Sequence, residues 1–240
     1  MKAVLLAAGR GERLRPFTDR TPKCMAPIGG KPLLEHTVEW LARFGVRELT
    51  INLHHLPERI RGYFGDGRRW GVRIGYWLEP ELEGTAGALR RLQGGWEGPL
   101  LVWYGDNLSR CDLDRLRELH RRKGGTATLA LYRRPDPTSS GIVELDGEDR
   151  LVRFLEKPRP DEVFSHWVNA GIFLLEREAL AFIPPEGPAD FGRDVFPALL
   201  AAGRPLYGYR LSEAEGLWWI DTPEDLARTE GAWRERFQEV

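Results

Sequence analysis

The chain has 240 residues with 35 basic and 36 acidic side chains, a formal net charge of −1, which allows one sizeable α/β core and gives no sign of a nucleic-acid partner. Its apolar runs, such as Ala3–Ala8 and Leu100–Tyr104, are far too short to span a bilayer, and Lys2 leads straight into a strand-like run with no leader pattern. Two cysteines, Cys24 and Cys111, make neither a disulfide framework nor a metal-ligand spacing, so a reduced, cytoplasmic setting is expected.

Apolar β-type runs alternate with helical periodicity along nearly the whole chain. Lys2–Ala7 reads as a strand. In Leu33–Phe44 the residues Leu33, Leu34, Val38, Leu41 and Phe44 follow the i, i+3, i+4 rule of an amphipathic helix. Strand Glu48–Asn52, helix Pro57–Phe64, strand Arg73–Leu78, helix Thr85–Leu92 and strand Leu100–Tyr104 follow. Asp112 then offers an N-cap to a helix over Leu113–Arg122. Beyond residue 125 the strands Thr126–Tyr132, Gly141–Leu145, Arg150–Glu156 and Val168–Leu174 crowd together with Gly and Pro between them. Helices Glu178–Ile183 and Asp194–Ala202, strands Leu206–Arg210 and Trp218–Ile220, and a helix Pro223–Phe237 opened by Thr222-Pro223 complete the chain. The alternation predicts a parallel sheet covered on both faces, with the later strands an antiparallel addition to it.

The first strand runs into Ala7-Ala8-Gly9-Arg10-Gly11-Glu12-Arg13-Leu14-Arg15-Pro16-Phe17-Thr18 and on to Thr21-Pro22-Lys23. Small residues at a strand's carboxyl end deliver backbone N–H groups to the edge where open α/β sheets bind ligands. Gly9 and Gly11 permit close approach to a phosphate, and Arg13 and Lys23 supply positive charge. A dinucleotide fingerprint would need a third glycine opening a helix, where Pro16 stands instead, and the Walker pattern is absent. Lys23 is also one of only five lysines beside 30 arginines, as is Lys157. Two further strands end in a carboxylate, Val102-Trp103-Tyr104-Gly105-Asp106 and Trp218-Trp219-Ile220-Asp221. A pair of strand-end carboxylates suits an octahedral Mg²⁺ that keeps water and phosphate ligands. A second, lesser reading has Asp221 cap the helix that starts at Pro223.

The string G-x-G-x-R-L-x-P-x-T, followed by Pro22-Lys23 and then Pro27-Ile28-Gly29-Gly30-Lys31-Pro32-Leu33, resembles the signature of the sugar-1-phosphate nucleotidyltransferases. The resemblance covers nearly the whole chain and implies a Rossmann-like three-layer α/β/α fold around a mostly parallel mixed sheet. It implies one domain over 1–240, with nucleoside triphosphate on the N-terminal half and sugar-1-phosphate on the C-terminal half. Ala8, Gly9 and Gly11 would cradle the triphosphate, with Arg13, Lys23 and Asp106 in the catalytic machinery and Asp106 and Asp221 holding Mg²⁺. Glu156-Lys157-Pro158 would take the sugar phosphate, and Asn169 and Gly171 would line the sugar pocket. At Glu83-Gly84-Thr85-Ala86-Gly87-Ala88-Leu89, Gly84 and Thr85 would face the base. This string is closer to the guanylyltransferases acting on mannose- or heptose-1-phosphate than to enzymes using dTTP or UTP.

The competing expectations are thymidylyl or uridylyl transfer to glucose-1-phosphate, and a catalytically silent relative with a regulatory role. The presence of Arg13, Lys23, Asp106 and Asp221 together speaks against the silent form. About one helix follows the Asp221 strand, so a single-domain form without a C-terminal β-helix is expected. A homo-oligomer stays open, with Trp218 and Trp219 either core residues or a subunit contact.

Overall fold

A computed structural model describes residues 1–92 and 98–237, in which the chain divides into two compact units. The first comprises Lys2–Leu82, Trp103–Arg110 and the described part of Leu217–Val240; the second comprises Met1, Glu83–Val102 and Cys111–Gly216. Each unit is therefore assembled from separate stretches of chain rather than from one half of the sequence.

In the first unit the strands Lys2–Leu6, Glu48–Leu53 and Arg73–Leu78 are parallel, in register from Lys2 opposite Glu48 and from Glu48 opposite Arg73. Parallel neighbours need crossovers, and the helices Leu33–Arg43 and Pro57–Phe64 provide them. Val4, Leu5, Ile51 and Leu53 are buried, as are Leu33, Leu34, Val38 and Leu41 along one stripe of the first helix. Those two helices begin and end within a residue of where periodicity alone puts them.

Two short ladders hold pairings that the sequence does not predict, although the strand expected at Trp218–Ile220 is present within a residue, at Leu217–Trp219. Pro27–Ile28 pairs with Lys31–Pro32, and Asn107–Ser109 pairs antiparallel with Leu217–Trp219. At two or three residues each, they are too short to carry a period. The second ladder sets Trp219 opposite Asn107, and Ile220 N–H donates to the Asp106 carbonyl at 3.2 Å. The helix Pro223–Phe237 then packs Leu226 and Trp233 on a cluster of Leu14, Ala26, Ile28, Leu33, Leu108 and Ile220. Trp218 packs on the same cluster, and the Arg228 guanidinium lies over the Trp219 ring.

In the second unit Trp167–Leu175 pairs antiparallel with Ala127–Arg133, and Leu151–Glu156 pairs antiparallel with Gly141–Leu145. Leu206–Arg210 joins Ala127–Arg133 in parallel. The helix Leu113–Lys123 starts at Asp112, whose side chain accepts from the N–H groups of Asp114 and Arg115, so the expected cap is formed. The rings of Phe173, Phe191 and Phe196 pack mutually with centroids 4.7 to 5.6 Å apart.

Three expected helices take other forms here. Thr85–Leu92 becomes one α-turn, Gly84–Gly87, followed by a 3₁₀ stretch, Ala88–Arg91. The first-turn N–H groups of Ala86 and Gly87, which no helix could satisfy internally, donate to the Ala189 carbonyl, and Arg90 is held by the carbonyls of Pro184 and Gly187. Glu178–Ile183 is a 3₁₀ helix over Arg177–Phe182, cut short ahead of Pro184. Asp194–Ala202 begins earlier, as a π-helical turn over Phe191–Val195 that leads into Phe196–Ala201. Among the described residues no helix is long and apolar enough to cross a membrane.

Candidate active site

The loop after the first strand is fixed at its root by two buried side chains. Ala7 N–H donates to Asn52 Oδ1 at 2.6 Å, and Asn52 Nδ2 donates to Glu79 Oε1 at 2.7 Å. Both partners stand near the carboxyl ends of the neighbouring parallel strands, so the sheet itself sets where Ala8 and Gly9 begin. A β-carbon on Gly9 would meet nothing within 4 Å, which leaves its backbone open to an incoming group. Gly11 is different. Its φ of +64° and the nearness of Lys23 and Thr18, each 2.9 Å from where a β-carbon would stand, admit only glycine. Its carbonyl accepts from Leu14 N–H and Thr18 Oγ1, both at 2.9 Å, which folds the loop back against Lys23.

Lys23, Asp106 and Asp221 form one charged centre. The Lys23 ammonium stands 2.7 Å from Asp106 Oδ2 and 2.5 Å from Asp221 Oδ1, and Arg13 reaches Asp221 Oδ1 at 3.1 Å. Burial acts to lower the Lys23 pKa, but the two carboxylates outweigh it and hold the ammonium above its ordinary range. Lys23 is therefore a fixed cation, unsuited to act as a base.

The second reading of Asp221, as a helix cap, is overturned here. Thr222 Oγ1 accepts from Asp225 N–H at 3.2 Å, and Asp225 Oδ2 accepts in return from Thr222 N–H at 3.0 Å. This reciprocal cap satisfies the helix start and leaves the Asp221 carboxylate to face Lys23 and Arg13.

The remaining candidates lie in the second unit. Gly84, at φ +79°, sits so close to Ala189 that a β-carbon would collide with that residue's backbone. Thr85 is bolted down. Its hydroxyl donates to Asp190 Oδ1 at 2.9 Å and accepts from Phe191 N–H at 3.0 Å. A side chain so engaged is poorly placed to read a base, so what the turn has to offer is its backbone.

Glu156 projects between two glycines. A β-carbon on Gly141 would stand 2.6 Å from Glu156 Oε2, and one on Gly192 would collide with the same oxygen. Burial, reinforced by Asp190, raises the Glu156 pKa, against the pull of Lys157 and Arg193. Lys157 is exposed and takes a left-handed φ of +49°, a conformation costly for a non-glycine residue and concentrated at functional sites. Asn169 Oδ1 accepts from Gly171 N–H at 3.1 Å, and Gly171 has φ +68°. Together they form an irregularity where pairing with Ala127–Arg133 jumps from Asn169 to Phe173.

The structure thus gathers Arg13, Lys23, Asp106 and Asp221 in one place beside the Gly11 turn. In the other unit it ties Gly84 and Thr85 to the segment that also packs on Glu156. Sequence reasoning missed Asn52, Asp190 and Gly192. Asn52 ends a strand in a chain with three asparagines, at positions 52, 107 and 169, and that scarcity was the one signal available.

The cation implied by the resemblance can be tested against these donors. Asp106 and Asp221 converge on a single point, where the Lys23 ammonium now stands as a monovalent occupant. Hard carboxylate oxygens that already share a cation suit Mg²⁺, which takes one or two carboxylates and completes its shell with water and phosphate. Among the described residues no group of three or more His, Cys, Asp or Glu side chains is placed to hold a metal without such outside ligands.

Known proteins match this chain at several levels. The family model described as nucleotidyl transferase matches residues 2–232. A Synechocystis protein named UTP–glucose-1-phosphate uridylyltransferase is 36% identical over 92% of this chain, and a Mycobacterium tuberculosis mannose-1-phosphate guanylyltransferase is 38% identical over 94%. The chain spans 60% and 62% of the lengths of those two relatives. A Bacillus anthracis structure, a candidate glucose-1-phosphate thymidylyltransferase with sucrose bound, matches at a TM-score of 0.86 and 23% identity, covering 100% of this chain and 97% of that one. HddC from Yersinia pseudotuberculosis, solved with GMP-PN, matches at 0.78 and 21%, covering 97% and 99%. These likenesses establish a Rossmann-like α/β fold with a mixed, mostly parallel central sheet flanked by helices. With a family model matched over residues 2–232 and these motifs in place, the chain belongs to the nucleotidyl transferase family.

Proposed function

We propose that the protein transfers a nucleotidyl group from a nucleoside triphosphate to a sugar-1-phosphate, with GTP and mannose-1-phosphate, or a heptose-1-phosphate, as the favoured pair. The observation that carries the reading is the Lys23–Asp106–Asp221–Arg13 centre beside a glycine turn open to phosphate. A sugar-phosphate oxygen forms a bond to the α-phosphorus while the bond from that phosphorus to the β-bridging oxygen breaks. Pyrophosphate departs with the electron pair, leaving a nucleoside diphosphate sugar. The nucleophile is already an anion, so a strong general base is unnecessary. Catalysis then consists of positioning and charge neutralisation.

In this scheme Ala8, Gly9 and Gly11 present backbone to the triphosphate, and Arg13 and Lys23 screen its charge. Mg²⁺ on Asp106 and Asp221 would supply Lewis-acid neutralisation of phosphate oxygens. Gly84 and Thr85 belong to the base subsite as backbone. Lys157, exposed beside Glu156, would bind the sugar phosphate. Glu156, a carboxylate in a glycine-walled cradle, would accept from sugar hydroxyls, with Asn169 and Gly171 shaping the wall beside it. Cytosolic residence, where nucleoside triphosphates are found, is part of the same reading.

Guanylyl transfer is favoured by the Gly-Thr-Ala-Gly string and the mycobacterial relative. Uridylyl or thymidylyl transfer to glucose-1-phosphate is the second reading, supported by the Synechocystis relative. A pyrophosphate-release assay crosses GTP, UTP, dTTP and ATP with mannose-, glucose- and N-acetylglucosamine-1-phosphate, with and without Mg²⁺. The expected result is Mg²⁺-dependent release with GTP and mannose-1-phosphate as the best pair. No release with any pair would sink the enzymatic reading.

A further inference from the structure

The chain from Ala189 to Asp194 touches two parts of the proposed site at once. On one side it is stitched to the Glu83–Gly87 turn. Ala86 and Gly87 N–H donate to the Ala189 carbonyl at 2.8 and 3.0 Å, and Ala189 N–H donates to the Glu83 carbonyl at 2.9 Å. Asp190 Oδ1 accepts from both the N–H and the hydroxyl of Thr85, at 3.2 and 2.9 Å. Phe191 N–H completes the set by donating to Thr85 Oγ1 at 3.0 Å. On the other side Gly192 closes the cradle around the Glu156 carboxylate.

Asp190 is itself held in place. Its N–H donates to Asp194 Oδ2 at 2.7 Å, and its second carboxylate oxygen lies 3.2 Å from the Arg193 guanidinium. The segment turns as a π-helix over Phe191–Val195, an irregular form that recurs at functional sites. Phe191 and Phe196 anchor it in the aromatic core against Phe173. It is thus a braced strut with one end on the Thr85 turn and the other on Glu156.

We infer that Asp190 is a positioning residue that locks the Gly84–Thr85 turn in its nucleotide-binding shape and, through Gly192, couples that turn to Glu156 in the sugar subsite. The inference rests on the proposed nucleotidyl transfer. The Thr85 hydroxyl is spent on Asp190 and Phe191, so it acts as a bolt, and Asp190 sets the backbone geometry that the base meets. A ligand that orders one end of a braced segment favours the other, and such coupling is reciprocal between the two substrates.

The test compares Asp190→Ala, Asp190→Asn, Thr85→Val and the Asp190→Ala/Thr85→Val double variant. Amide hydrogen exchange of residues 85–87 is followed in the free protein, and KM for each substrate and kcat come from pyrophosphate release. Losing both Thr85 contacts raises KM for the triphosphate about tenfold in Asp190→Ala, at about 1 kcal/mol or less per hydrogen bond. The change in kcat is small, and the 85–87 amides exchange faster. Asp190→Asn keeps an oxygen acceptor toward Thr85 and recovers most of that loss. The double variant falls clearly short of the product of the two single effects, because the Thr85 hydroxyl to Asp190 bond is lost in both. Should Asp190→Ala fail to fold, Thr85→Val, which loses the hydroxyl contacts and keeps the Thr85 N–H bond to Asp190, shows a rise in the same KM and faster exchange of the same amides, both smaller in size. Unchanged triphosphate KM and unchanged exchange in the alanine variant, or effects that simply multiply in the double, overturn the inference. If the wild-type protein releases no pyrophosphate with any pair, the nucleotidyl-transfer reading fails, and hydrogen exchange still decides whether Asp190 holds the turn.

Discussion

Replacing Lys23 by methionine keeps the length of the stem and removes the charge at the centre of the site. The ammonium it deletes stands 2.7 and 2.5 Å from two carboxylates on a side chain only 12% exposed. Removing one partner of a fully buried ion pair costs about 3–5 kcal/mol. Here Asp106 and Asp221 retain 37% and 23% exposure, and Arg13 lies 3.1 Å from Asp221. Water and Arg13 therefore screen the carboxylate repulsion that is left, and about 1–3 kcal/mol is expected. For a chain of this size that is a fall of about 3–10 °C in Tm by calorimetry. The wild-type contribution is present in full below the ordinary lysine pKa of about 10.5 and is lost only as pH rises through the raised folded value. Turnover at saturating substrates falls by at least about 10²-fold, the range for removing a preorganised charge. A folded Lys23→Met protein that turns over at the wild-type rate would take Lys23 off the phosphates and refute this reasoning.

Gly192→Ala puts a methyl group against the Glu156 carboxylate, the far end of a side chain that can swing away. The Tm therefore changes little while KM for the sugar-1-phosphate rises about tenfold or more, and an unchanged KM would remove Glu156 from the sugar subsite. Lys157→Ala raises KM for the sugar-1-phosphate and leaves that for the triphosphate nearly alone; steady-state kinetics showing equal losses for both substrates would argue against that placement. His36 is kept neutral mainly by burial, which lowers its pKa despite its contact with the Ile28 carbonyl at 2.8 Å. The folded value lies below the unfolded one, so stability is full above about pH 6.5 and declines as pH falls through the folded pKa. Denaturant titrations at pH 8 and pH 5.5 should show a smaller drop in His36→Gln than in the wild type, and identical drops would mean that another group governs the acid limb.

Periodicity alone located the parallel strands and the two crossover helices, because each is long enough for its buried face to repeat in the sequence. The run Ala7-Ala8-Gly9-Arg10-Gly11 likewise marks the carboxyl end of the first strand, the edge at which open α/β sheets take ligands. A tertiary partner changed only the form of one element: the run from Thr85 to Leu92 stays helical over Gly84–Arg91 but is an α-turn followed by 3₁₀, with its first-turn amides capped by the Ala189 carbonyl 103 or 102 positions along the chain. The site itself needed the fold still more. Asp106 and Asp221 are 115 residues apart, and only a three-residue ladder, Asn107–Ser109 on Leu217–Trp219, sets their carboxylates on one ammonium. Thr222 and Asp225 between them cap the last helix, which releases Asp221 from the capping role that the sequence left open to it. Sequence thus determined which residue types stand at the strand ends, a matter of local composition and period. The tertiary structure decided which of them face one another, because that depends on pairings between segments far apart in the chain, where local physics has no reach.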